Sequence, residues 1–174
     1  MTHAWHDHPK LERRFHPEAA DDLQVLVHDG GPRLSDRSPE LVWVTVTGCD
    51  SNDVFSGRVL NQPTQLTTVE QGTNIKFIAP SGKHLLMVTD KYIQERPNWI
   101  IHPCNQCGLD ELFDAPSDLI RVVFPDLPEG GSMGMFSSFC GVCGGVQVVQ
   151  DKDLEIKDQP PIQKSTKKWW QFWK

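Results

Sequence analysis

The later half of the chain is organised around two cysteine pairs, Cys104-Asn-Gln-Cys107-Gly108 and Cys140-Gly-Val-Cys143-Gly144. Two thiolates separated by two residues can reach one metal ion from a tight turn, and Zn²⁺ prefers a tetrahedron of four such soft ligands. The glycine after each pair relieves crowding where the backbone curls around sulfur. The doubled motif therefore predicts one zinc ion, with the ligands Cys104, Cys107, Cys140 and Cys143.

Short apolar segments flank both pairs and predict strands around the metal. Met135–Phe139 precedes the second pair and Val146–Val149 follows it, which places that pair at the tip of a β-hairpin. Asn98–Ile101 leads into the first pair as a further strand. A redox dithiol is an alternative for a single pair, but such a dithiol normally opens a helix within a βαβ unit.

Each Cys-x-x-Cys-Gly turn is called a knuckle below. Two knuckles that bind one ion resemble the zinc-ribbon class, and the resemblance covers about residues 98–150. It implies four thiolate ligands with no open coordination position, so the zinc is expected to be structural. His102 lies two residues before Cys104. It is expected at most to contact one of the cysteine ligands, without binding the zinc itself. Cys49 has no partner in sequence and is predicted to be a buried small apolar residue.

Residues 21–97 alternate β-rich runs with glycine and proline turns, which predicts a small bent sheet or barrel. Asp90 is a candidate cap for a short helix over 91–96, ahead of Pro97. The whole chain is therefore predicted to be mainly β with minor α. The predicted strands are Leu23–Val27, Leu41–Thr47, Val54–Leu60 and Gly72–Ile78, with Leu85–Thr89 left ambiguous.

The segment between the cysteine pairs carries a further predicted strand, Leu119–Phe124, and a group of carboxylates. Asp110, Glu111 and Asp114 are candidate residues of an acidic partner-binding surface, and an ordinary solvated face is the alternative. A general acid–base pair is possible in principle, but no histidine or nucleophile is fixed beside these carboxylates by spacing.

One stretch resembles a small uncharacterised bacterial family, that of YegJ-like proteins. The residues that carry the resemblance are Trp43-Val44-Thr45-Val46, Phe55-Ser56-Gly57, Leu60-Asn61-Gln62-Pro63, Gly72, Ile75 and Phe77. The resemblance covers residues 41–78 and implies no activity for particular residues. Related small domains are associated with bacterial toxin–immunity systems, and the resemblance implies only that association, with which an immunity role would be consistent.

Composition narrows the class of protein. The chain has 174 residues, 38% of them apolar, and a net charge of −6, which excludes a collagen-like fibre and a mostly disordered chain. No run of about 20 apolar residues marks a membrane span, and no secretory signal is recognised. The odd number of five cysteines then favours a reducing, cytoplasmic location.

Charge and composition also predict four regions: a His-rich arm over 1–20, a β-rich domain over 21–97, a zinc-ribbon-like module over 98–150, and a linker with a basic tail over 151–174. Residues 1–156 carry a net charge of −10 and residues 157–174 a net charge of +4. The arm holds His3, His6 and His8, which could bind a metal weakly. The alternatives are that the arm is mobile or that it lies on the body of the protein as a cover.

The tail is unusually aromatic, and its candidate partner-binding residues are Lys167, Lys168, Trp169, Trp170, Phe172 and Trp173. Such a segment could fold back on its own body, dock on a protein partner, lie at a membrane surface or stack on single-stranded nucleic acid. These four alternatives remain open on the sequence.

Three functions are compatible with these features. The first is a non-enzymatic, zinc-stabilised protein-binding module, such as a bacterial immunity or adaptor protein that presents an acidic face to a basic toxin or effector. The second is a nucleic-acid-binding zinc ribbon that uses the Lys/Trp tail, against which the acidic body counts. The third is an enzyme with an unrecognised site. No common catalytic motif is present, which counts against this third reading.

Overall fold

The computed structural model describes residues 5–157, which form a mainly β structure with few helices. The predicted fold class is therefore confirmed. The described strands are β1 (Phe15–His16), β2 (Ala19–Val27), β3 (Glu40–Cys49), β4 (Phe55–Val59), β5 (Asn74–Ile78), β6 (Leu85–Val88), β7 (Trp99–Ile101), β8 (Met135–Phe139) and β9 (Val146–Asp151). The described α-helices are α1 (Asp90–Glu95), α2 (Pro116–Val123) and α3 (Lys152–Lys157).

Strands β2 to β6 form a five-stranded barrel in which each strand pairs antiparallel with the next. Strand direction alternates along such a meander, so the first and fifth strands of the barrel point the same way. The seam between β2 and β6 is accordingly parallel and short, with Val25 opposite Leu85 and Leu26 opposite Leu86. Closing the sheet removes the exposed strand edges that an open sheet would carry.

The barrel interior follows the period-two alternation of its strands. Val42, Val44 and Val46 of β3 are at most 2% exposed and point inward. The rings of Phe55 and Phe77 stack across the interior with their centroids 5.4 Å apart. These β-branched and aromatic side chains supply the apolar burial that stabilises a domain of this size.

The N-terminal arm, from Trp5 onward, lies on the barrel. A 3₁₀ turn over Pro9–Leu11 places Leu11, which is 0% exposed, in the barrel core. His6 and His8 contact carboxylates, with Nε2 of each ring 2.6 Å from Asp21 and 3.0 Å from Asp53 respectively. The described part of the arm therefore covers the barrel, which is one of the predicted alternatives.

A second sheet has the strand order β7-β9-β8 and packs against α1 and α2. The predicted strand Leu119–Phe124 is wrong, because these residues lie mostly within α2. Pro116 occupies the first turn of this helix, where its missing N–H is harmless. Leu119 and Ile120 are buried against the sheet while Val122 is 44% exposed. This burial pattern, which is that of an amphipathic helix, overrides the β-propensity of the valines and isoleucine.

The helix caps also differ from the prediction. Thr89, and not Asp90, caps α1, since its Oγ1 accepts a hydrogen bond from the N–H of Tyr92 at 3.2 Å. Ala115 cannot cap α2 with its side chain, and the carboxylate of Glu95 takes that role from α1. It accepts hydrogen bonds from both N–H and O–H of Ser117, which joins the two helices.

An apolar cluster joins the barrel to the loops that follow β7 and β8. Leu26 and Leu86 from the barrel seam pack with Leu109, Phe113 and two of the cysteines. This cluster packs Cys104 and Cys140 against the barrel seam. The predicted region boundaries at residues 20, 97 and 150 stay predictions. None of the described helices has the length and apolar content needed to cross a bilayer.

Candidate metal centre

Two loops bring the four cysteines of the predicted site together. Cys104 and Cys107 follow β7, and Cys140 and Cys143 lie at the tip of the β8–β9 hairpin, as predicted. All four sulfur atoms lie within 4.8 Å of one another. Two of these separations join the two loops: 3.5 Å from Cys104 to Cys143 and 3.6 Å from Cys107 to Cys140.

The two loops have matching backbone geometry. Each begins with a cysteine N–H that donates to a carbonyl five residues later, from Cys104 to Leu109 at 2.8 Å and from Cys140 to Gly145 at 2.7 Å. Gly108 and Gly144 adopt φ values of 77° and 75°, which residues with a Cβ rarely accept. The glycine after each pair is therefore needed to complete its knuckle.

A further glycine allows the loops to approach each other. A Cβ on Gly145 would stand 2.7 Å from the sulfur of Cys104 and 2.8 Å from Oδ1 of Asn105. That Oδ1 accepts a hydrogen bond from the N–H of Val146 at 2.9 Å, and the N–H of Asn105 donates to the carbonyl of Val146 at 3.1 Å. Asn105 thus joins the first knuckle to the second.

Backbone N–H groups point at the sulfur atoms. Burial alone would raise the pKa of the Cys104 thiol, but the N–H groups of Cys107 and Gln106 stabilise its thiolate and lower its pKa to about 6. Burial raises the pKa of the Cys140 thiol to about 12, despite the N–H groups of its own loop. Metal binding must therefore displace protons from the cluster, and the most deeply buried thiol holds its proton most strongly.

The cluster has one buried side and one exposed side. Cys104 and Cys140 are 4% and 0% exposed, whereas Cys107 and Cys143 are exposed. Tetrahedral coordination at the usual Zn–S length of ~2.3 Å requires sulfur separations of about 3.8 Å, close to the observed ones. The observed separations also far exceed the ~2 Å of a disulfide. The four thiols could hold a metal ion, with no coordination position left for a substrate.

The remaining sulfur and the neighbouring histidine stand apart from this cluster. Cys49 ends β3 and is half-buried against the barrel core, less deeply than predicted. His102 is exposed and has Nε2 3.5 Å from Oε1 of Gln150.

The predicted acidic residues all have partners within the chain. Asp110 accepts a hydrogen bond from the N–H of Ser81 at 2.8 Å. Glu111 binds the guanidinium of Arg96 through both carboxylate oxygens, at 2.6 and 3.0 Å, and accepts a hydrogen bond from the hydroxyl of Tyr92.

Asp114 is the most enclosed of these carboxylates. Burial raises its pKa even though it accepts a hydrogen bond from the N–H of Gly31 at 2.8 Å. It therefore connects the segment between the knuckles to the barrel, and it is not part of a solvated face.

Two polar residues near the cluster were not foreseen from the sequence. Gln147 is 1% exposed, and its amide donates to the carbonyls of Leu109 and Glu111 at 2.9 and 3.0 Å, which fixes the chain after the first knuckle. His28 is 2% exposed and stacks on Phe113 with centroids 4.2 Å apart. Two sequence features could have indicated these roles: a glutamine, Gln147, within a predicted strand, and a histidine, His28, just before the turn Asp29-Gly30-Gly31.

The other predicted candidate residues lie outside the described part of the chain. They are His3 of the arm and, in the tail, Lys167, Lys168, Trp169, Trp170, Phe172 and Trp173.

The fold and the site define a small β-barrel protein with a zinc-ribbon-like cysteine centre. Comparison with known protein families, curated proteins and solved structures finds no significant match to this chain. The resemblance of residues 41–78 to the YegJ-like family accordingly finds no support, and the immunity role that it implied loses that basis.

Proposed function

We propose that the cysteine cluster holds one Zn²⁺ ion as a structural element of a non-enzymatic binding protein. The observation that carries this proposal is the arrangement of four sulfur atoms within 4.8 Å of one another on two matching knuckles. Four thiolates close the coordination sphere of zinc, and such closed sites stabilise folds and do not catalyse reactions.

The metal would join the second sheet to the barrel. The two buried cysteines belong to the same apolar cluster as Leu26 and Leu86 at the barrel seam. A structural metal binds the folded chain far better than the unfolded one, so its binding free energy adds to folding stability. Without it, the buried thiols retain the protons that metal binding displaces.

Metal content tests the proposal. Protein purified without an affinity tag should contain one zinc ion per chain by inductively coupled plasma mass spectrometry. Cys104→Ser and Cys140→Ser should lose that stoichiometry, whereas Cys49→Ser, a matched loss of one thiol, should retain it. Iron in place of zinc, which four thiolates also accept, would give visible absorption and would contradict the zinc assignment.

We also propose that the protein acts by binding a basic protein partner, as a bacterial immunity or adaptor protein does. The net charge of −10 over residues 1–156 supports this, because complementary charge accelerates association. The internal partners of Asp110, Glu111 and Asp114 limit how much of this charge those three residues can offer. The partner would therefore draw on the acidic surface as a whole.

A capture experiment tests the partner class. The full chain should retain a basic protein at low salt and release it as ionic strength rises, since exposed charges are screened. A chain lacking residues 167–174 should retain the same protein if the acidic surface is responsible. Loss of capture in the shortened chain, or capture that is insensitive to salt, would contradict this proposal.

A further inference from the structure

A basic groove crosses the outer surface of the barrel. It is a hollow of about 630 Å³ between the segment 12–17 on one side and the turn 82–84 on the other. Gln24, Leu41, Trp43 and Leu85 line its floor. The groove lies on the barrel, and its properties do not depend on the metal centre.

Three permanent cations line this groove in an otherwise acidic protein. The side chain of Arg13 is 90% exposed, and its contact with Glu12 is long, at 3.5 Å, and exposed to water. Arg14 spans the groove, because its Nη1 donates to the carbonyl of Lys83 at 2.7 Å. Within residues 5–157 neither Arg14 nor Lys83 forms an ion pair, so their charges are available to a ligand.

The charge of the groove acts on the histidine beside it. Burial lowers the pKa of His84, and the positive charges of Lys83 and Arg14 lower it further. The local potential is therefore positive where an anion would enter, although residues 1–156 as a whole are acidic. Glu12, which contacts Arg13, is the one carboxylate among the residues that line the groove.

The floor adds an aromatic surface between the cations. Trp43 points outward from β3, since its neighbours Val42 and Val44 fill the barrel interior. The ring of His16 meets the indole edge-on, with centroids 5.1 Å apart. Leu41 on the same strand is 41% exposed. The groove thus presents a planar ring and apolar surface flanked by guanidinium and ammonium groups.

We propose that the basic groove binds single-stranded nucleic acid, with phosphates at Arg13, Arg14 and Lys83 and a base against Trp43. Cations that follow the backbone, combined with aromatic rings that accept a base, are how single strands are bound without sequence preference. An acidic peptide would use the cations but would gain little from the indole. This inference goes beyond the zinc-stabilised binding role and does not rest on it.

Fluorescence anisotropy with a labelled 12-nucleotide oligo(dT) and the full-length, metal-loaded protein tests the proposal. The double variant Arg13→Ala/Lys83→Ala removes two exposed charges and should weaken binding at least about tenfold at 50 mM salt. Each phosphate contact on a single strand contributes about 0.7 to the slope of log affinity against log salt, so the slope should fall by about 1.4. The control Arg58→Ala/Arg121→Ala, an equal change of charge at exposed sites elsewhere, should retain both affinity and slope.

Trp43→Leu provides an independent test of the proposed stacking contact. It should leave the salt slope unchanged and weaken binding about tenfold, the order expected for one lost stacking contact, with folding verified by circular dichroism. The tail is identical in all variants, so the differences report on the groove alone. No binding at 50 mM salt, or equal losses in the control pair, would overturn the proposal. Equal displacement by a 12-residue polyglutamate peptide would also overturn it, in favour of an acidic peptide partner.

Discussion

Acidification should destabilise this protein through His28, which is buried between Met87 of the barrel and the ring of Phe113. Its ring is 2% exposed. Nε2 lies 3.0 Å from the carbonyl of Met87, and Nδ1 lies 3.0 Å from the N–H of Gly30. A carbonyl needs a donor and an N–H needs an acceptor, so only the neutral ring with its proton on Nε2 satisfies both partners. Burial is the main reason that the pKa of His28 falls from 6.5 to about 4.

The sign of the effect follows from proton binding. Between pH 6.5 and pH 4 the unfolded chain protonates His28 and the folded chain does not, so folding stability falls as pH falls through this window. The stability that the neutral His28 ring contributes to the folded protein is fully present above pH 7. From the two pKa values, the loss is small at pH 6.5, about 1 kcal/mol at pH 5.5 and about 2–3 kcal/mol at pH 4.5.

Urea unfolding of wild-type protein and His28→Gln at several pH values measures this loss. The variant will be less stable at neutral pH, but its free energy of unfolding should lack the His28 contribution to the pH dependence. The difference between the two proteins should therefore shrink by about 2–3 kcal/mol from pH 7.5 to pH 4.5. His102→Gln, at an exposed histidine, controls for replacing an imidazole by an amide. Parallel pH profiles for wild type and His28→Gln would refute the reasoning.

Two further predictions concern packing and capping. Gly57→Ala should destabilise the barrel by about 1–3 kcal/mol, since a Cβ there would stand 2.4 Å from a methyl group of Val44. Gly48→Ala, where the atom nearest to an added Cβ is 4.0 Å away, should change the urea midpoint far less. Equal midpoint shifts for the two variants would count against the packing argument. Glu95→Ala should cost about 1 kcal/mol, because α2 loses the only side-chain cap described for it. Glu95→Gln, which keeps an acceptor oxygen, should cost less, and an unchanged melting temperature for Glu95→Ala would argue against the capping role.

Local motifs predicted the cysteine cluster well because the geometry of each knuckle is local. A Cys-x-x-Cys-Gly sequence specifies its own turn, and the glycine with positive φ after each pair can be read directly. The hairpin tip around Cys140 and Cys143 followed from the strands on either side. The fit of Gly145 against Cys104 could not be predicted, since it depends on how two separate loops meet.

The errors and omissions arose where distant contacts decide the structure. Leu119–Phe124 has β-branched residues that favour a strand, but the buried side of α2 and a carboxylate from α1 stabilise a helix there. The parallel seam of the barrel depends on the number of strands, which no single strand reveals. His28 and Gln147 acquire their roles only through partners far along the chain.

X-ray absorption at the metal edge of the purified, untagged protein tests the central claim most directly. The account predicts zinc with four sulfur neighbours at ~2.3 Å and no nitrogen or oxygen ligand. Zinc with nitrogen or oxygen in its first shell, a different metal, or no bound metal in correctly folded protein would contradict it.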